Sequence, residues 1–227
     1  AIKFNPEDPK FYRKKGIILF GMKNYEEAKN NFQKTIALNP EDVQAHINLG
    51  MVHYASGNKN DALKSWEDAI GINPEDNDSK ALNNIGNIYK AKNDLPKSIE
   101  YYKKAIAYEP TNSTYLNNLG DSYRLKGDLA KAEETLLNSL EVDTNGMLTH
   151  FNLGVLYQTE GKFKKAIASF QKSLNINPYY TEAYYQLATA LLKTNNKASA
   201  KQSLEKAIQA DPNNLKFKEL YNEVLAS

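Results

Sequence analysis

The triplet Asn-Leu-Gly at 48–50 returns as Asn-Ile-Gly at 84–86, Asn-Leu-Gly at 118–120 and 152–154, and Gln-Leu-Ala at 186–188, at spacings of 36, 34, 34 and 34 residues. Gly16 lies 34 before Gly50 and extends the series backwards. A chain that repeats itself at such a period is a stack of supersecondary units. None of them can bury its apolar face alone, so the core runs along the stack. A second series keeps step with the first. Small residues fall at Ala28, Ala62, Ser98, Ala132, Ala166 and Ala200. Four positions later come bulky ones: Phe32, Trp66, Tyr102, Leu136, Phe170 and Leu204. Three further on the residue is small again: Thr35, Ala69, Ala105, Ser139, Ser173 and Ala207. Proline follows at 40, 74, 110, 178 and 212.

Steps of three and four between apolar residues are those of an amphipathic helix. Each repeat therefore reads as two helices. Their joint, position 15 of the repeat, is Gly57, Gly127 and Gly161, or Asn93 and Asn195; these types tolerate the left-handed conformation that ends a helix. Lys23 is the departure at that position. The second helix stops at the proline, which cannot continue it. The fourth repeat has Thr144-Asn145-Gly146 in place of the proline; this still encodes a turn, and its junction is expected to be the least rigid. The anchor glycine removes a side chain where the two helices approach closely.

The period, the Leu-Gly, the alanine, the aromatic and the proline together resemble the tetratricopeptide repeat, over nearly the whole chain. The resemblance implies an all-α fold, a right-handed superhelical solenoid of antiparallel helix hairpins. Its repeats are expected at 9–42, 43–76, 79–112, 113–146, 147–180 and 181–214, with Asn77 and Asp78 an insertion in a turn. Residues 1–8, Ala-Ile-Lys-Phe-Asn-Pro-Glu-Asp, match 35–42, Thr-Ile-Ala-Leu-Asn-Pro-Glu-Asp. They read as the remnant of a truncated preceding repeat, in a solenoid that continues N-terminally. Residues 215–227 read as a capping helix, with Leu215, Phe217, Leu220, Val224 and Leu225 inward and Lys216, Lys218, Glu219 and Glu223 facing water.

Several kinds of chemistry have no place in this sequence. It holds no phosphate loop, no His-Glu-x-x-His, no Gly-x-Ser-x-Gly and no Gly-x-Gly-x-x-Gly, so no catalytic residue, cofactor or metal is expected. His46 and His53 share a helix face but stand about 10.5 Å apart along it, too far for one metal ion. Cysteine is absent, which removes disulfides and thiolate ligands. No stretch approaches the roughly 18 apolar residues of a spanning helix, and no membrane partner is expected. The net charge of +2 comes from 29 basic and 27 acidic residues mixed along the chain, without the clustered basic excess of a nucleic-acid binder.

What remains is surface. In this repeat type the first helices line the concave wall, and the resemblance implies that positions 2, 5, 6, 9, 12 and 13 face it. Position 6 is Asn48, Asn84, Asn118 and Asn152. Asparagine is a mediocre helix former, so its recurrence asks for a reason. An amide offers a donor and an acceptor, the complement of an extended peptide's C=O and N–H. First helices about 8–10 Å apart would meet such a peptide about every third residue. The asparagine ladders of O-linked N-acetylglucosamine transferase and kinesin light chain are similar, at the Asn-Leu-Gly motifs alone. The same amide could instead bond to the neighbouring repeat and hold the superhelix together. Asn83, Asn87 and Asn117 add amides in the central repeats, and Tyr54, Phe151 and Tyr185 are candidate aromatic anchors. Wall cations Lys10, Arg13, Lys14, Lys80, Lys90, Arg124 and Lys193 outnumber Asp121 and Glu182, which points to a partner with acidic residues. The family's clamp for a C-terminal carboxylate would fall on Arg13, Ile17, Asn48, Lys80 and Asn84, where Ile17 and Asn84 spoil the set.

The reading is a non-catalytic interaction scaffold that holds an extended polypeptide through Asn48, Asn84, Asn118, Asn152, Asn83, Asn87, Asn117, Arg13, Lys80, Arg124, Tyr54, Phe151 and Tyr185. The alternatives are the substrate-recognition arm of a larger, glycosyltransferase-like enzyme, and a scaffold that self-associates through its truncated N-terminal repeat.

Overall fold

A computed structural model describes residues 7–74 and 78–226. The expectation for residues 1–8 therefore lies almost wholly outside the described residues, as does Asn77. The described chain is all helix and turn. The helices are α1 (Pro9–Gly21), α2 (Tyr25–Leu38), α3 (Val43–Ala55), α4 (Lys59–Ile72), α5 (Ser79–Ala91), α6 (Leu95–Tyr108), α7 (Ser113–Lys126), α8 (Leu129–Val142), α9 (Met147–Thr159), α10 (Phe163–Ile176), α11 (Thr181–Lys193), α12 (Lys197–Ala210) and α13 (Leu215–Ala226). They group into two compact units, Ala1–Glu109 and Pro110–Ser227.

Local chemistry sets the helix ends. Asp8, Asp42, Asp78 and Asn112 accept hydrogen bonds from backbone N–H groups in the first turns of α1, α3, α5 and α7, which otherwise lack partners. Between the two helices of each hairpin, Lys23, Gly57, Asn93, Gly127, Gly161 and Asn195 all have positive φ. Lys23 therefore adopts at φ 60° the conformation its side chain disfavours, imposed by the hairpin around it. At the proline-free junction, the Asn145 amide donates to the Asp143 side chain at 3.0 Å and the Gly146 amide to the Asp143 carbonyl at 3.1 Å.

The in-phase series is the core. Phe32, Trp66, Tyr102, Leu136, Phe170 and Leu204 are at most 1% exposed, and the small residues on either side of them are just as deep. Each bulky side chain lies against the anchor glycine of its own hairpin. A methyl group built on Gly16 would sit 2.7 Å from Phe32, and one on Gly120 2.7 Å from Leu136. The last hairpin takes Ala188 there, opposite Leu204. In α13 only Phe217 is buried; Leu215 and Leu225, assigned to the apolar face from sequence, are 70% and 55% exposed. The reason is that α13 packs mainly on α12, with Phe217 and Lys216 reaching Tyr185 of α11, and no later helix among the described residues covers its other side.

Candidate functional site

Within the first unit α3 touches both α1 and α5, and within the second α9 touches both α7 and α11. Successive second helices make no comparable contact among the described residues. The first helices thus form the tighter row, and a tighter row is the inner wall of each unit. Side-chain bonds place the expected wall positions on this row. The Asn84 amide donates to the Met51 sulfur at 3.7 Å, and the Asn152 amide donates to Asn117 Oδ1 at 2.9 Å. The Gln158 amide reaches Thr189 Oγ1 at 3.2 Å.

The ladder asparagines share a register but not a state. Asn48, Asn84, Asn118 and Asn152 are all half-buried. Asn48 has no side-chain hydrogen bond among the described residues, and Asn84 meets only a thioether, a weak acceptor. Asn118 has polar engagement within the protein, and Asn152 is fixed to Asn117. The neighbouring amides are more enclosed. Asn83 and Asn117 are 8% and 7% exposed, and Asn87 Oδ1 accepts the Tyr102 hydroxyl at 2.6 Å. Asn83 and Asn117 therefore offer a ligand little surface, whereas Asn87 is half-buried with its oxygen engaged.

Charge is redistributed in the same way. Arg13 donates to Asp42 at 2.8 Å. Arg124 grips Asp121 through two nitrogens, at 2.7 and 3.2 Å. Lys80 is exposed, as are Lys10, Lys14 and Lys193. The sequence count of wall cations therefore overstates the free charge, because aspartates from a turn and from the same helix neutralise the arginines. Of the aromatic candidates, Tyr54 packs on Trp66 with ring centres 5.7 Å apart. Phe151 sits between Phe170 at 5.7 Å and Tyr180 at 5.0 Å. Tyr185 lies against Phe217 at 5.6 Å, with the Lys216 ammonium 3.9 Å from its ring centre. All three are half-buried; Tyr54 and Phe151 are held by their own repeats and Tyr185 by α13.

Glu133 on α8 accepts the Tyr157 hydroxyl at 2.8 Å; burial and then this carboxylate push that phenol up to about 12. His46 Nε2 meets the Pro40 carbonyl at 3.0 Å, and His150 Nε2 the Thr144 carbonyl at 3.2 Å. Burial holds the His150 imidazole below its ordinary range. Among the described residues no group of three His, Asp or Glu side chains could hold a metal, and no helix is long and apolar enough to cross a membrane.

Models of the tetratricopeptide repeat match residues 13–77, 79–112, 110–178 and 157–224. The chain belongs to the tetratricopeptide-repeat family. Tetratricopeptide repeats imply a protein–protein interaction scaffold, and proteins of this fold are in general non-catalytic. Solved structures show the same fold at low identity. A chain of the APC/C hetero-tetramer Cut9–Hcn1 matches with a TM-score of 0.76 and 19% identity over 99% of this chain. This chain spans only 44% of that one's length. PilF of Pseudomonas aeruginosa matches with a TM-score of 0.76 and 18% identity, over 95% of this chain and 97% of that one. YrrB, a tetratricopeptide-repeat protein with an unusual peptide-binding site, matches with a TM-score of 0.65 and 21% identity, over 84% and 97%. A search of curated proteins finds no match.

Proposed function

We propose that this tetratricopeptide-repeat chain holds a partner protein by an extended segment laid along the inner walls of its units. The supporting observation is the alignment of Asn48 and Asn84 on touching helices, half-buried and with amide capacity left over. Such amides bond a peptide backbone whatever its sequence, and exposed wall lysines favour a partner that carries acidic residues. YrrB, similar in fold, has an unusual peptide-binding site, which is consistent with this reading. Affinity capture with the chain, followed by mass spectrometry and calorimetry on the captured partner, tests it. Asn48→Ala combined with Asn84→Ala should lower partner affinity about tenfold, since each buried amide–backbone bond contributes about 0.5–1.5 kcal/mol. Unchanged affinity would remove the ladder from the mechanism.

A second reading, self-association at α1, has its own support. Phe11 and Ile18 on one face of α1, and Met22 immediately after it, are 40%, 63% and 72% exposed. The equivalent residues of α3, Ala45 and Val52, are 0% and 1% exposed because α2 covers them. Light scattering at two concentrations decides this reading: a mass that does not rise with concentration rejects it.

A further inference from the structure

The outer side of the second unit holds a groove in which the inner wall has no part. Helix α11 packs against both α10 and α12, while α10 and α12 make no comparable contact with each other among the described residues. The gap between them is a cavity of about 820 Å³, within the range of about 300–1,000 Å³ typical of small-molecule sites. Its floor is hydrocarbon: Leu174, Leu187 and Leu191 reach it, each at most 7% exposed. Its banks carry amides. Gln171 and Asn175 stand on α10 and Gln202 on α12, all exposed and without a side-chain hydrogen bond among the described residues. No carboxylate lines the cavity, and its single charge, the Lys206 ammonium, lies 5.6 Å from the centre of the Tyr184 ring. The equivalent grooves are charged. Between α2 and α4 the lining includes His46, His53, Asp61, Lys64 and Asp68, and between α8 and α10 it includes His150 and Lys172. The places of Gln202 and Gln171 are taken by Lys64 and Glu67 in the second repeat and by Glu100 and Lys103 in the third. Solvated helix faces ordinarily carry such charges, so three free amides in one groove set it apart.

We propose that this outer groove is a binding site for an uncharged oligosaccharide. A free amide offers donors and an acceptor together and carries no charge. A sugar hydroxyl is likewise donor and acceptor at once. Amides on two facing banks therefore bond the hydroxyls at both edges of a pyranose ring. The faces of such a ring are C–H, and the leucine floor receives one of them. Tyr184, half-buried beside the floor, adds an aromatic surface. A charged ligand fits less well: only Lys206 could neutralise an anion, and no carboxylate stands ready for a cation. Ile167 and Asn175 both line the cavity and stand about 12 Å apart along α10. That length suits a short chain of sugars rather than a single ring. The site lies on the second helices and is independent of the peptide reading of the inner walls.

A printed array of neutral and anionic oligosaccharides, with decapeptides of mixed sequence on the same slide, tests the proposal against the fluorescently labelled chain. Neutral oligosaccharides should retain it. Gln171→Ala with Gln202→Ala should lower affinity for the best of them about tenfold, the loss expected for two hydrogen bonds. Gln171→Glu with Gln202→Lys copies the second repeat and should abolish binding. Both positions are exposed, and circular dichroism checks that the variants keep their helices. Asn48→Ala with Asn84→Ala on the inner wall should change nothing, which separates this site from the peptide groove. Retention by no neutral oligosaccharide, or unchanged affinity in the Gln171 and Gln202 variants, overturns the proposal. Binding confined to anionic oligosaccharides and lost in Lys206→Gln overturns it too. Peptides whose binding falls in the Gln171 and Gln202 variants, and not in the Asn48 and Asn84 variant, assign the groove to protein and overturn it as well.

Discussion

The wall of the first unit is polar and unsatisfied, whereas that of the second is polar and closed on itself. Asn48 and Asn152 occupy the same place in their repeats, yet one has no partner among the described residues and the other is fixed to Asn117. Arg124 is gripped by an aspartate one helical turn away on its own helix, while Lys14 and Lys80 stand exposed and unpaired. The second wall also shows more hydrocarbon, with Leu125 and Leu148 47% and 49% exposed. Identical hairpins can thus carry surfaces of different purpose. The core positions are fixed by packing, and the wall positions are free to vary once packing is secured. On the proposed reading, the open wall is the one with groups left over for a partner, while the closed wall spends its own between repeats.

The largest effect should come from the residues behind the open wall. Gly50 lies against Trp66, whose indole N–H donates to the Ile47 carbonyl at 3.1 Å and whose ring backs Tyr54. Gly50→Ala drives a methyl into a rigid ring and should cost about 2–3 kcal/mol in urea unfolding. Gly120→Ala in the second unit should cost about 1 kcal/mol or less, because the opposing Leu136 can rotate and alanine is the better helix former. Equal costs would mean that the backing of the two walls is alike.

Next in size is the amide pair. Asn117→Ala leaves the Asn152 amide without its acceptor and should destabilise the second unit by about 1 kcal/mol. Asn48→Ala removes no bond and should leave thermal stability unchanged. A large loss at Asn48 would erase the contrast between the walls.

A smaller change should make the second wall resemble the first. Asp121→Asn frees Arg124 and should raise affinity for an acidic, glutamate-containing peptide about threefold, by restoring an unpaired cation. No gain would show that free charge is insufficient without the neighbouring amides.

The smallest effect separates the units by pH. His150 in the second unit is buried, and its imidazole is held below the ordinary value of 6.5 by that burial. A base with a lowered folded pKa contributes stability that is whole above 6.5 and is lost as pH falls through the folded value. Melting followed from pH 7.5 to 5 should show this loss, and His150→Gln should flatten it. An unchanged slope in the variant would place the acid sensitivity elsewhere.

The helices, their joints and their core were legible in the residues because each is settled within one hairpin. A small residue at Ala62, a bulky one at Trp66 and a glycine at Gly50 meet across a single turn, so periodicity alone puts them together. The state of the wall was not legible, because it is decided between repeats. Arg13 finds Asp42 at a separation of 29 residues, Asn84 finds Met51 at 33, and Asn152 finds Asn117 at 35. The pairing of Asn117 with Asn152 had a signal: two amides separated by the repeat length plus one, which places them side by side on adjacent first helices. Nothing comparable marked Asp42, whose capping role already explained it. Sequence by itself thus determined that this chain stacks helix hairpins and which residues fill them, since those contacts are local and steric. Only the tertiary structure decided which amides and charges are left over for a partner, since that depends on what the next repeat brings within hydrogen-bonding reach.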